Sequence, residues 1–302
     1  MKQLVVISGK GGTGKTTVAA SFVALAKNVV AADCDVDAAN LHLLLNPQVR
    51  EEEDFVGHRE PRFDPEKCTG CGACVENCAF EALSLEDGFP RFDPFACEGC
   101  GLCARVCPTE AVDLHPVVTG QFFVSETRYG PLVHARLGVG QENSGKLVTQ
   151  VRSRAAELAE SNGARWLIVD GAPGIGCPVI ASLAGADAVL VVSEPTPAGR
   201  SDAERVLRLA SHFEIPALLC VNKWDLNPDE AAALERAACA MDLRPRPLCF
   251  VGRIPYDSAV PGSLCEGSPL VETTNGPAAQ AIRGLWAKVA EALEAQDHRR
   301  AQ

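Results

Sequence analysis

The sequence predicts an α/β fold with a doubly wound, mostly parallel sheet, interrupted by a small α+β insertion. Three observations carry this. Short apolar runs rich in branched residues alternate with helical patterns along most of the chain, as buried parallel strands and their crossover helices do. A glycine-rich loop joins the first run to the first helix. Eight of the 14 cysteines lie between Cys68 and Cys107, in a segment that breaks the alternation. The 302 residues suit about two domains at roughly 150 residues each. Hydrophobic residues at 47% and charged residues at 22% are globular proportions.

The first strand is Leu4-Val5-Val6-Ile7. It runs into Gly9-Lys10-Gly11-Gly12-Thr13-Gly14-Lys15-Thr16-Thr17 and then into a helix patterned by Val18, Phe22 and Leu25. Strand, glycine loop and helix start stand in the order of a phosphate-binding loop. Its backbone N–H groups and helix N-terminus suit phosphates. Lys15 is placed to reach the β- and γ-phosphates of a nucleotide, and Thr16 to ligate Mg2+. The second strand, Val29-Val30-Ala31-Ala32, ends in Asp33-Cys34-Asp35-Val36-Asp37 and Asn40-Leu41. Helix N-capping is an ordinary use for one of these aspartates. Further strands read at Val117–Ser125, Trp166–Asp170, Ala188–Ser193, Ala217–Val221 and Leu248–Val251. Helices read near Gly145–Ser161, Pro197–His212, Pro228–Met241 and Pro277–Ala295. In such a sheet the active residues belong at the carboxyl ends of the strands. Phe122 to Lys146 shows no clear period and reads as a shaped loop.

The insertion is a direct repeat. Arg62-Phe63-Asp64-Pro65 recurs 29 residues later as Arg91-Phe92-Asp93-Pro94. Cys68, Cys71, Cys74 and Cys78 recur as Cys97, Cys100, Cys103 and Cys107, each copy reading C-x2-C-x2-C-x3-C. That spacing wraps three thiolates around one cuboidal iron–sulfur cluster and sends the fourth to its neighbour. Gly70, Gly72, Gly99 and Gly101 permit the tight turns. Zinc is the alternative, but it favours separated cysteine pairs over four-cysteine runs. The segment from Glu51 to Pro116 holds 15 acidic and 5 basic residues, nearly the whole net charge of −11. Such a surface repels phosphate backbones, so no nucleic-acid partner is expected. With no secretory signal or apolar run of roughly 18 residues, a cytoplasmic protein without a stable membrane anchor is expected.

The repeat resembles the bacterial two-[4Fe-4S] ferredoxin module over about residues 58–116. The resemblance implies that Cys68, Cys71, Cys74 and Cys107 hold one cluster, and Cys97, Cys100, Cys103 and Cys78 the other. Pro108 follows the last cysteine as that pattern expects; Ala79 in the equivalent place departs from it. Lys10, just inside the glycine loop, resembles the deviant P-loop of the MinD/ParA/Mrp superfamily, which includes the nitrogenase iron protein. In that family the lysine reaches across a dimer interface to the partner's nucleotide. Asp33, Asp35, Asn40 and Leu41 resemble its D-x-D…N-L segment, which implies Asp35 orienting the attacking water or a metal-bound water, with Asp33 in support. Asp170-Gly171-Ala172-Pro173-Gly174 resembles its second switch. There Asp170 is expected to hold the Mg2+ shell and the Gly174 N–H to sense the γ-phosphate. Asn222 and Pro255, after later strands, fall where the family cradles adenine.

The resemblances imply three parts: a P-loop ATPase domain at 1–54, a ferredoxin domain at 55–116, and the rest of the ATPase at 117–302. They imply an ATPase with ATP, Mg2+ and two [4Fe-4S] clusters as cofactors. A nucleotide-dependent homodimer, or a heterodimer with a paralogue, is implied as well. The first functional reading is ATP-gated electron transfer to a protein redox partner. The second is a carrier ATPase that passes clusters to an acceptor, and the third a MinD/ParA-like spatial organiser with redox-sensing clusters. Cys177, just after the second switch, reads as a small buried residue, with bridging of a shared cluster as the sharper alternative. The C-terminal apolar stripe Ile282, Leu285, Val289 and Leu293 reads as a helix packed on the domain, not a membrane anchor.

Overall fold

The computed structural model of the chain describes residues 1–138, 144–245 and 250–300. In chain order the elements are β1 (Lys2–Ser8), α1 (Lys15–Leu25), β2 (Val29–Asp33), α2 (Leu41–Leu45), β3 (Gln48–Phe63), α3 (Ala73–Glu76), β4 (Leu83–Glu86), β5 (Phe89–Phe92), α4 (Leu102–Val106), β6 (Val112–Thr127) and β7 (Gly130–Leu137). There follow α5 (Ser144–Ser161), β8 (Trp166–Pro173), α6 (Cys177–Leu183), β9 (Ala188–Ser193), α7 (Pro197–His212), β10 (Ala217–Asn222), α8 (Pro228–Ala240), β11 (Gly252–Ile254), α9 (Ala259–Cys265), α10 (Leu270–Thr273) and α11 (Pro277–Arg300).

The chain forms two compact units. The larger comprises Met1–Glu52, Phe122–Arg136 and 144–302. Its sheet runs β11-β10-β9-β1-β8-β2-β7-β6. The β1–β8, β1–β9, β9–β10, β10–β11, β2–β8 and β2–β7 pairs are all parallel. Leu4, Val5, Val6 and Ile7 of β1 are wholly buried. A strand covered on both faces can carry such an uninterrupted apolar run. Each of these side chains contributes about 1.5–3 kcal/mol on burial. On one face of the sheet the α11 residues Ile282, Leu285, Val289 and Leu293 share a core with Leu4 and Val6. Trp286 on this helix meets Phe22 at 5.0 Å and Trp166 at 4.9 Å between ring centres.

Within the segment expected as a loop, Phe122 to Lys146, residues 122–127 and 130–137 are sheet, the first of them continuing the strand expected at Val117–Ser125, and residues 139–143 lie outside the described residues. β6 and β7 form a hairpin turning at Arg128-Tyr129, and β7 extends the parallel ladder beside β2. Thr127 Oγ1 donates to the Gly130 carbonyl at 2.7 Å and accepts from the Tyr129 N–H at 3.1 Å, which closes the turn. Leu132, Val133, His134 and Ala135 are all buried, so neither a two-residue nor a helical period marks the strand. Asn143 lies outside the described residues, as do Arg246–Cys249 and with them most of the strand expected at Leu248–Val251.

The smaller unit comprises Glu53–Gln121 and residues 137–138. The sequence repeat returns as a repeat of bonds. The Asp64 N–H donates to the Ala111 carbonyl at 2.8 Å, and the Asp93 N–H to the Ala82 carbonyl at 2.9 Å, so each half braces the other. Asp64 Oδ1 accepts from Glu66 N–H, and Asp93 Oδ1 from Phe95 N–H, both at 2.9 Å. β4 and β5 form an antiparallel hairpin across Asp87-Gly88, both with positive φ, the backbone that a two-residue hairpin needs. Among the described residues no helix is long and apolar enough to cross a membrane.

Candidate nucleotide and thiol sites

In the larger unit the carboxyl ends of the parallel strands open into a cavity of about 780 Å3. Gly11, Gly12, Gly14, Lys15, Thr16 and Thr17 line it, with Asp35, Asn222 and Pro255. Gly14 has φ 91°, and a β-carbon there would stand 2.3 Å from Asn222 Nδ2. Only glycine suits such a position. Gly11 and Gly12 face open space instead. Gly9 is pressed against Asp202 of α7, where a β-carbon would come within 2.3 Å of Asp202 Cβ. Thr13 Oγ1 is buried without a partner.

Asp33 and Asp170 are register partners on neighbouring strands β2 and β8. Lys15 Nζ lies 2.7 Å from Asp170 Oδ1 and 3.3 Å from Asp35 Oδ2. Burial works against the Lys15 charge, but Asp170, Asp35 and Asp33 outweigh it and raise its pKa. Burial and the charge of Asp170 push Asp33 up to about 7, against the pull of Lys15 and two backbone N–H groups. Burial also raises Asp170, with Lys15 and Thr16 opposing. Asp33 accepts from the N–H groups of Asp35, Asn40 and Leu41 at 3.0–3.1 Å, so it caps α2 and fixes the loop that presents Asp35. Asp37 is exposed at the cavity rim. Asp170 Oδ2 is buried with no hydrogen-bond partner. A free carboxylate oxygen beside Thr16 fits a magnesium shell.

Three expected contacts are engaged otherwise. Gly174 donates its N–H to the Ser8 carbonyl at 2.8 Å rather than leaving it free. Asn222 Nδ2 donates to the Thr13 carbonyl at 2.7 Å and Oδ1 accepts from Lys223 N–H at 3.0 Å, so its amide braces the loop. Lys10 pairs within its own chain, Nζ to Glu194 Oε2 at 3.1 Å. Lys223 Nζ takes the other Glu194 oxygen at 2.6 Å. Sequence reading missed Glu194 and Lys223. Their position directly after β9 and β10, at carboxyl ends, was the available signal. Cys177, expected to be buried, is exposed at the first position of α6, where a β-carbon on Gly145 would come within 3.3 Å of its Cβ. Cys34 and Cys220 are buried, while Cys239 and Cys265 are exposed.

In the smaller unit the eight repeat cysteines are free thiols. They line two separate cavities. One holds Cys68, Cys71, Cys74 and Cys107. The other holds Cys78, Cys97, Cys100 and Cys103. Each takes three thiols from one repeat and the fourth from the other. The turns come close: a β-carbon on Gly70 would stand 2.4 Å from the Gly88 carbonyl oxygen. Among the described residues no three His, Cys, Asp or Glu side chains gather as ligands of one ion. Tetrahedral zinc, with sulfurs about 2.3 Å from the metal, needs such a gathering. A cuboidal cluster spreads its thiolates over the corners of its own core, and four thiols around an apolar-lined hollow fit it.

A family model described as the CobQ/CobB/MinD/ParA nucleotide binding domain matches residues 4–270. The uncharacterized protein MJ0578 of Methanocaldococcus jannaschii is 30% identical over 293 residues, 96% of each chain. MJ0579 of the same organism is 28% identical over 304 residues, 90% of this chain and 92% of that one. Among solved structures, the cell division ATPase MinD of Pyrococcus furiosus has a TM-score of 0.55 at 16% identity, over 96% of this chain and 99% of that one. MinD of Pyrococcus horikoshii, complexed with Mg-ADP, has 0.56 at 16% identity over 95% of each. The Cyanothece McdA(D38A)–ATP complex has 0.56 at 16% identity over 96% of each.

Proposed function

This chain belongs to the CobQ/CobB/MinD/ParA nucleotide-binding family, and from that premise we propose that it is a MinD/ParA-type ATPase switch whose smaller unit holds two [4Fe-4S] clusters. The observation that carries the cluster half is the crossed pair of thiol quartets. The family match and the glycine-lined cavity support the ATPase half.

Lys15 is held by Asp170 at 2.7 Å and by Asp35 at 3.3 Å. An arriving triphosphate offers it more negative charge and draws it away. Asp35, so released, accepts a hydrogen bond from the attacking water and orients it. Thr16 and the unpartnered Asp170 oxygen would hold Mg2+, which when bound would supply positive charge to offset that of the phosphates. The Mg-ADP of the Pyrococcus horikoshii protein and the ATP of the Cyanothece protein support this choice of ligand. Gly174 exchanges the Ser8 carbonyl for a γ-phosphate oxygen, so β8 and α6 respond to the nucleotide. Lys10 leaves Glu194 when a second copy supplies a phosphate, which makes the assembly a nucleotide-dependent homodimer.

When bound, each cluster supplies one-electron redox chemistry; the cysteines and their hydrogen bonds set how readily. Sequence alone ranks ATP-gated electron transfer first. The family and fold comparisons favour the MinD/ParA-like reading, with the clusters as a redox sensor, and electron transfer rests on the quartets alone. The two part experimentally. ATP turnover and affinity are measured anaerobically on oxidised and dithionite-reduced protein. A sensor changes its ATP affinity or turnover with redox state. ATP-dependent reoxidation of the reduced protein by an acceptor, with turnover indifferent to redox state, returns electron transfer to first place.

A further inference from the structure

The two thiol quartets are built alike in sequence spacing but not in hydrogen bonding. Cys107 Sγ accepts the Ala111 N–H at 3.2 Å. Thr109 Oγ1 lies 3.7 Å from the same sulfur, within reach of an O–H···S bond. One repeat earlier the corresponding residues are Cys78, Phe80 and Ala82. Phe80 has no hydroxyl, and among the described residues no such bond reaches the Cys78 sulfur. Apolar side chains line both hollows, Phe63, Leu85 and Val112 in one and Leu83, Leu102 and Leu114 in the other. Thr69 and Thr109 face the quartet that contains Cys107. Arg59, Glu98 and Phe80 face the quartet that contains Cys78, with Phe80 where the other quartet has Thr109.

We propose that Thr109 is a potential-setting residue that makes the two cluster sites inequivalent, the Cys107 site being reduced first. This rests on the cluster reading above. Reduction by an external one-electron donor adds one negative charge to a site and moves no atom between residues. Added charge spreads onto the cysteine sulfurs, so donors aimed at a sulfur favour the reduced form more than the oxidised one. The Ala111 N–H and the Thr109 hydroxyl do this at Cys107. At Cys78 neither bond is present, Phe80 standing in place of the hydroxyl, so that sulfur stabilises the added charge less. The repeat thus duplicates its ligands and diversifies one residue that touches them.

The test is an anaerobic EPR titration of the whole protein with dithionite as donor, preceded by iron and sulfide analysis. Wild type is expected to show two distinct midpoints. Thr109→Val keeps the shape and removes the hydroxyl. It is expected to make reduction at the higher-midpoint site about tenfold less favourable, a fall of about 59 mV for one electron, and to leave the lower midpoint in place. Thr109→Ser is expected to restore the wild-type value. Phe80→Thr, a change at a half-exposed position, is expected to raise the lower midpoint. The inference is overturned if Thr109→Val moves neither midpoint, moves the lower one, or moves both equally. Protein lacking iron and sulfide after anaerobic reconstitution overturns the cluster reading itself, a separate and visible failure.

Discussion

Lys15 and Asp170 form a buried ion pair, Nζ to Oδ1 at 2.7 Å, in a cavity shaped for a nucleotide. Removing one partner of such a pair leaves the other charge stranded. Lys15→Met is expected to lower nucleotide affinity by at least a hundredfold. It also leaves Asp33, Asp35 and Asp170 without their cation, so the nucleotide-free protein is expected to lose about 3 kcal/mol of stability. Chemical denaturation without nucleotide checks the second effect. Unchanged stability would mean the carboxylates are balanced by something other than Lys15.

Two glycines of one loop should fail differently. Gly14→Ala meets Asn222 Nδ2 at 2.3 Å with φ 91°, a strain of about 1–2 kcal/mol before any clash. It should lower Tm as well as nucleotide affinity. Gly11→Ala meets nothing within 4 Å, so Tm should hold while the added methyl intrudes on the phosphate space. Thermal melts with and without Mg-ATP separate the two.

His134 gives the larger unit an acid limit. It stacks on Phe123 at 4.9 Å and His42 at 5.5 Å, and its Nε2 is 3.0 Å from Ser125 Oγ. Burial, helped by His42 opposite, lowers its pKa to about 4 from the usual 6.5. A neutral, buried histidine contributes stability above pH 6.5 that is lost as pH falls toward 4. At about 1.4 kcal/mol per unit the full loss is about 3.5 kcal/mol. His134→Phe should flatten the decline in unfolding free energy over this window, at the cost of the Ser125 bond. An equally steep decline would assign the acid limit elsewhere.

Crossed ligation makes a sharp prediction for single cysteines. Cys107→Ala should remove the same cluster as Cys68→Ala, and Cys78→Ala the same one as Cys97→Ala. Each variant should retain about half the iron, and the remaining EPR signal identifies which site survives. Matching signals from Cys107→Ala and Cys97→Ala would mean that each repeat ligates its own cluster.

Lys10→Ala should spare nucleotide binding, because Lys10 points to Glu194 and not into the phosphate loop. It should abolish ATP-dependent dimerisation in sedimentation. Retained dimerisation would remove Lys10 from the interface.

Much of this was legible in the sequence because it is periodic or spaced. The glycine loop and the cysteine repeat announce themselves. Pro197–His212 reads off its proline and apolar period, and the structure gives α7 those bounds. What stayed hidden lacks a period. β7 is buried along Leu132–Ala135 and carries a histidine in its middle, so it resembles neither an alternating strand nor an apolar run. Glu194 is one acid among many until the fold brings Lys10 and Lys223 to its two oxygens. Cys177 misled because cysteine is usually buried, whereas the first turn of α6 holds it at the surface.

The central claim is that one chain couples a nucleotide switch to two clusters. Coupling is reciprocal: if redox state alters ATP affinity, ATP must alter the midpoints by the same free energy. The most direct test is the anaerobic EPR redox titration run with and without Mg-ATP. Two S = 1/2 signals, at least one with a midpoint that moves when Mg-ATP is added, are the expected result. Two signals indifferent to Mg-ATP would contradict the coupling, and a fully reduced, reconstituted protein with no cluster signal would contradict the clusters as well.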